Sequence, residues 1–239
     1  MNNFTLSAIG HISSCFKEKF TIPRQSRLLK AVSSELTLQA PYASPEIVRG
    51  LEGFSHVWIV FAFHAVPVGQ WKPTVRPPRL GGNKRLGVFA TRSTHRPNPI
   101  GLSVVELLDI QVNAGGVTLV LGGSDFLDGT PVLDIKPYIP YVDAIPDARS
   151  GFAPEEPEQS LIVEFSELAE SHVALATERL SKDVKQLLIE LLSLDPRPAY
   201  QSGEFGERVY ATHLYDFDLR WSYPEPGIVE IIDLKIKED

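Results

Sequence analysis

Across the first 140 residues, apolar positions recur at the spacing of strands, and no long segment holds them at the spacing of an amphipathic helix. That pattern excludes a doubly wound nucleotide-binding fold, whose strands must alternate with helices. It points instead to one sheet closed into a barrel, or to a sandwich. Strands are expected at Phe4–Ile12, Glu35–Gln39, Phe54–His64, Leu86–Ala90, Leu102–Val112, Val117–Leu121 and Val132–Tyr138. Asn113-Ala-Gly-Gly116 reads as the short loop of a hairpin between two of them.

Asp143–Ser160 changes the composition, with Pro146, Pro154, Pro157 and five acidic residues against the single Arg149. We read residues 143–160 as a linker between a first domain, 1–142, and a small α+β domain, 161–239. In the latter, Glu167–Leu180 is expected to be helical with Ser166 as its N-cap. Lys182–Leu194 follows as a second helix: Val184, Leu187, Leu188, Leu191 and Leu192 fall on one face, Ser181 is its expected cap and Pro196 lies just beyond it. Arg208–Tyr223 and Ile228–Ile236 read as two strands.

Charge is distributed unevenly. From Lys72 to Arg96 the chain carries seven basic residues and no acidic one, although the whole protein has a net charge of −7. Five prolines between Pro73 and Pro99 stiffen this stretch, while Gly81, Gly82 and Gly101 permit turns. A rigid loop of guanidinium groups suits a phosphate or carboxylate partner and a contact confined to one surface. On the bland alternative, the same cations pair with the acidic remainder. Arg76, Arg79, Lys84, Arg85 and Arg96, with Lys136, are the candidates for holding a polyanion.

A second polar segment, Asp125–Tyr138, carries Asp125, Asp128 and Asp134. Asp128-Gly129 is a common turn pair, and Asp134 shares a strand face with Lys136, which suits a structural ion pair. One cysteine, Cys15, excludes an intrachain disulfide and a cysteine-held zinc, and none of the six histidines has zinc-enzyme spacing. No metal is expected. The longest apolar run, Val57–Phe63, is too short to span a bilayer, and the N-terminus lacks signal-peptide character, so we expect a soluble cytoplasmic protein with no membrane partner. No G-x-G-x-x-G or G-x-S-x-G is present.

Four motifs occur in order: Arg76-Pro-Pro-Arg-Leu-Gly-Gly-Asn, Gly87-Val-Phe-Ala-Thr-Arg-Ser, His95-Arg-Pro-Asn-Pro-Ile-Gly-Leu-Ser and Asp128-Gly-Thr-Pro-Val-Leu-Asp-Ile-Lys-Pro-Tyr. Together they resemble the TsaA-like family, in its bacterial TrmO branch. Asp195-Pro-Arg-Pro-Ala-Tyr200 and Tyr215-Asp-Phe-Asp218 resemble that family's second domain. The resemblance implies a mainly β protein with a single-sheeted antiparallel β-barrel that binds S-adenosyl-L-methionine. It implies methyl transfer to N6 of threonylcarbamoyladenosine beside the anticodon of tRNA, and a homodimer with sites near the subunit interface. Cofactor contacts carried over from it are Gln25, Ser26, Arg27, Phe63, His64, Arg92, Leu102, Gly122, Gly123, Ser124 and Asp125. For the reaction, Asp125 or Asp134 is the candidate general base. An RNA-binding module without activity, and a methyltransferase of the same fold for another small acceptor, are the competing readings.

Overall fold

The computed structural model describes residues 4–67, 69–158, 160–197, 201 and 203–236. Pro198, Ala199 and Tyr200 of the Asp195–Tyr200 motif lie outside the described residues.

Six strands close into an antiparallel barrel: β1 (Gly10–Ser13), β2 (Ser33–Leu38), β3 (His56–Ala62), β6 (Ile100–Asn113), β7 (Gly116–Gly122) and β8 (Pro131–Pro137), in the order β1-β2-β7-β6-β3-β8. Alternation decides what fills it. Val57, Ile59 and Phe61 of β3, Val105 of β6 and Leu119 and Leu121 of β7 are buried inside, while the intervening residues face outward. Each such side chain contributes about 1.5–3 kcal/mol when fully buried. The expected hairpin is present, with Asn113 paired to Gly116.

The other two strands of this region, β4 (Thr74–Val75) and β5 (Leu86–Gly87), pair only with each other. Leu86–Ala90 is therefore not a full strand. Val88–Ala90 turns into a short 3-10 helix that buries Val88 and leaves Phe89 exposed. Phe4–Ile12 is also shorter than expected, since pairing begins only at Gly10; Phe4 and Leu6 precede any partner strand and are exposed. A short helix, α1 (Pro140–Asp143), follows the barrel.

The C-terminal part is a four-stranded sheet, β10-β11-β12-β9, with two helices. β9 (Ile162–Phe165), absent from the sequence expectation, runs parallel to β12 (Ile228–Ile236). The expected single strand Arg208–Tyr223 is a hairpin: β10 (Gly206–Leu214) and β11 (Phe217–Tyr223), joined through Tyr215 at φ 55°. The turn carries neither Gly nor Asn, so the usual signal for it is missing. Helix α2 (Glu167–Leu180) starts at Ser166, whose side chain accepts from Ala169 N at 3.0 Å. Helix α3 (Val184–Ser193) is capped by Asp183, accepting from Gln186 N at 2.9 Å, and not by Ser181. Ser181 instead ends α2 in the left-handed conformation at φ 51°.

Two hydrophobic cores result, one inside the barrel and one beneath the C-terminal sheet. The second includes Cys15, Phe16, Leu29 and Val32, which belong to the segment between β1 and β2. No helix among the described residues is long and apolar enough to cross a membrane.

Candidate active site

A cleft of about 700 Å³ opens at one end of β3 and β6. It is reached by Gln25 from the β1–β2 segment, Phe63 and His64 after β3, Arg92 and Arg96 from the basic stretch, Leu102 on β6 and Asp125 after β7. Segments distant in sequence meet there because the barrel closes.

Asp125 is placed by strand register. The pairing of Glu106 with Gly122 carries Asp125, three residues further along, next to Ser103, three residues back. Ser103 lies on the inward-facing series Gly101, Ser103, Val105, and its hydroxyl donates to Asp125 Oδ2 at 3.1 Å. Oδ1 is buried without a well-formed hydrogen bond among the described residues. Burial pushes the Asp125 carboxyl up to about 6, opposed by the Ser103 hydroxyl, its own backbone amide, the charge of Arg92 and the Ser26 amide. A carboxylate whose Oδ1 is buried without a well-formed hydrogen bond among the described residues is suited to a cation or to a proton arriving with a ligand.

The backbone beside it is tightly arranged. Gly123 stands at φ 62° and Arg27 at φ 68°, and Arg27 N donates to Gly123 O at 2.6 Å. A Cβ on Gly123 would lie 3.1 Å from Arg27 Cα, so only glycine permits this approach without movement. Ser26, Arg27, Gly122, Gly123 and the fully buried Ser124 thus form the support behind the cleft and do not line it. Arg92 Nη1 donates to Gln25 Oε1, joining the two rims. Phe61 packs edge-on against both Phe63 and Phe126, and Phe63 continues this aromatic group to the cleft.

Gly101 is a second position where only glycine fits. A Cβ there would meet the Phe61 ring at 2.2 Å, and that ring is held between Phe63 and Phe126. Gly101→Ala is expected to destabilise the chain by about 1–3 kcal/mol, read from urea unfolding, and to weaken whatever the cleft binds.

Asp134 lies apart from the cleft, on β8 opposite Val60, in a 2.7 Å ion pair with Lys136. Asp128 ties its turn to the segment after β1, accepting from Ser14 N at 2.8 Å and pairing with Lys17 at 2.7 Å. Both therefore have the structural roles their surroundings suggested. The basic stretch behaves otherwise. None of its seven cations makes an ion pair among the described residues. Arg79 donates to the backbone of Glu155, Arg85 to Thr74 Oγ1 at 3.5 Å and Arg96 to Thr91 O at 3.4 Å. Direct ion pairing with the acidic remainder therefore does not account for them, while the charge of Arg92 acts on Asp125.

Sequence reasoning missed Arg24, Trp58 and Ser103 in the cleft. For Ser103 a signal existed: a hydroxyl on the inward face of an otherwise apolar strand needs a buried partner.

A closed six-stranded barrel with a buried carboxylate facing a cationic rim defines the class. Residues 11–144 match the tRNA-methyltransferase O N-terminal domain and residues 158–237 the TrmO C-terminal domain. The chain belongs to the TrmO family. It is 48% identical to the tRNA (adenine(37)-N6)-methyltransferase of Escherichia coli strain K12, over 95% of this chain and 96% of that one. It is 49% identical to a putative S-adenosylmethionine-dependent methyltransferase, RcsF, of Pseudomonas aeruginosa, over 96% and 97% of the two chains. The crystal structure of TrmO from Pseudomonas aeruginosa superposes with a TM-score of 0.81 at 44% identity, covering 98% of each chain.

Proposed function

We propose that the protein is an S-adenosylmethionine-dependent tRNA methyltransferase acting on N6 of the adenosine beside the anticodon, with threonylcarbamoyladenosine as the acceptor. The observation that carries this reading is the half-buried Asp125, its Oδ1 buried without a well-formed hydrogen bond among the described residues, in a cleft rimmed by Arg92 and Arg96, neither of which makes an ion pair among those residues. The relatives' activity and the resemblance supply the substrate class.

The residues fit S-adenosyl-L-methionine by their chemistry. A cleft of about 700 Å³ is within the range of small-ligand sites. Phe61, Phe63 and Leu102 offer apolar walls to a base, the Arg92 guanidinium suits a carboxylate, and Asp125 suits a positive centre. When bound, this cofactor supplies an electrophilic methyl group. Gln25, Phe63, His64, Arg92 and Leu102 would hold it, and Ser26, Arg27 and Gly122–Ser124 would keep that wall in shape.

The acceptor nitrogen lies between a purine ring and a carbamoyl carbonyl, so its lone pair is delocalised and weakly nucleophilic. Asp125 takes its proton as the new bond to carbon forms. A carboxyl held at about 6 is mostly ionised at neutral pH and still basic enough to accept. Ser103 donates to Oδ2 and leaves Oδ1 for that proton. Arg76, Arg79, Lys84, Arg85 and Arg96 would hold loop phosphates or the threonyl carboxylate, contacts that position an RNA loop whose splayed bases are read by other groups. Lys136, held by Asp134, is the weakest member of that set.

The reading extends to the whole protein: residues 1–142 as the cofactor-binding unit, 143–160 as the connection, 161–239 as an appended unit, and a cytoplasmic homodimer. Exposed Phe89, which lies outside the cleft lining, supports the dimer.

Incubation of the purified protein with S-adenosylmethionine and tRNA carrying threonylcarbamoyladenosine should convert that nucleoside to its N6-methyl form, detected by mass spectrometry of the digest. The same tRNA lacking the threonylcarbamoyl group should remain unmethylated. Unchanged nucleoside in the first reaction overturns the reading. Equal methylation in the second overturns the assigned acceptor.

A further inference from the structure

Between β1 and β2 the chain leaves the barrel and runs along the C-terminal sheet before returning. The contacts are distributed over its length. Phe16 forms a backbone bridge with Leu214, and Tyr215 N donates to Cys15 O at 2.8 Å. Glu18 Oε2 accepts from the buried Thr212 hydroxyl at 3.1 Å, and the Thr21 and Thr212 hydroxyls lie 3.4 Å apart. Phe20 stacks on the fully buried Trp221, ring centroids 6.3 Å apart. Further on, Ala31 N donates to Glu190 Oε2 at 2.9 Å, and Lys182 Nζ to Ser33 Oγ at 3.2 Å.

Between these two sets of anchors the same segment supplies Ile22, Pro23, Arg24 and Gln25 to the cleft. Gln25 accepts from Arg92, whose charge acts on Asp125. Arg24 also feels the far unit: desolvation lowers its pKa, and the Asp195 carboxylate opposes that. Residues 20–27 contain no helix or strand, so their shape depends on what they lean on: the C-terminal sheet at Phe20 and Thr21, and the barrel side at Gln25 and Arg27.

We infer that the C-terminal sheet is a positioning element of the cleft: Thr212 and Trp221 hold the segment that presents Arg24 and Gln25 to the ligand. The inference rests on the reading of the cleft as the S-adenosylmethionine site. Thr212 and Trp221 touch no reacting atom. Their effect passes through the shape of residues 20–27, because a preformed loop spends less conformational entropy on binding than one that must be ordered.

The test is the full-length double variant Phe20→Ala/Thr212→Val, which removes the stacked ring and the hydroxyl while leaving the core side chain of Trp221 in place. Calorimetry with S-adenosylmethionine should show affinity weakened about tenfold. Amides of residues 20–27 should exchange faster, while tRNA affinity stays within about twofold. Phe20→Tyr, which keeps the ring, should restore cofactor affinity when paired with the native Thr212. An unchanged cofactor affinity in the double variant overturns the inference. So does a parallel loss of cofactor and tRNA affinity with a lowered Tm, since that would mark general loss of structure. Absence of heat with the unaltered chain overturns the proposed function instead, which separates the two failures.

Discussion

Asp125→Asn is expected to lower kcat for methyl transfer by about 10²–10⁴, the usual worth of a positioned general base. The amide is close to isosteric and can still accept from Ser103, so cofactor affinity should change far less than the rate. In the unaltered enzyme, kcat/KM should rise with pH up to about 6 and then level, because the carboxyl must be ionised to accept a proton. The variant's residual activity should lack that limb. Stability should move the opposite way. The folded-state pKa of Asp125 is raised from the ordinary 3.8 to about 6, so the folded chain carries an ionisation cost. That cost is absent below pH 4, grows between pH 4 and 6, and is complete above 6, where it is on the order of 3 kcal/mol. Asp125→Asn should therefore be more stable than the unaltered chain at pH 8, with the difference shrinking towards pH 4. A variant that loses both activity and stability at pH 8 would show that Asp125 serves the fold instead. Asp134→Asn supplies the contrast: its half-exposed carboxylate is tied to Lys136, so the acid limb should not move.

Arg92→Ala is expected to weaken S-adenosylmethionine binding by about 10- to 100-fold, through loss of a charge-assisted contact and of the link to Gln25. It should also move the acid limb upward from about 6, because Arg92 is one of the groups holding the Asp125 pKa down. Since Arg92 is exposed, that movement should be larger at low salt. Arg92→Lys keeps the charge but not the planar fork, so it should preserve the limb while still losing affinity. Calorimetry and pH profiles on the three proteins check this. If Arg92→Ala weakens only tRNA binding, the residue belongs to the RNA surface and the cofactor lies elsewhere.

Much of the architecture could be read locally. The strands at Phe54–His64 and Leu102–Val112, the hairpin at Asn113–Gly116 and the Ser166 cap depend on residues close in sequence, and each is present. The exceptions are also local in cause. Ser181 and Asp183 competed for one helix start, and Tyr215 occupies a left-handed position without the glycine that would have announced it. The short pairing of Leu86–Gly87 reflects partner supply, because only Thr74–Val75 lies opposite.

The candidate site was legible as a set of motifs but not as an environment. Sequence separated a rigid cationic stretch from an acidic chain and, through its motifs, assigned a family. It did not choose between Asp125 and Asp134, which are both carboxylates beside apolar residues. Closure of the barrel gives the two different surroundings: Asp125 stands beside Ser103 in the cleft, and Asp134 is half-exposed and paired with Lys136. The same holds for the cations and for the segment between β1 and β2: whether charges are paired, and what a loop leans on, depends on residues far apart along the chain. Strand period, turn chemistry and capping are set by neighbours a few residues away, so sequence specifies them. Burial and electrostatic field sum over everything nearby in space, and only the folded chain decides what that is.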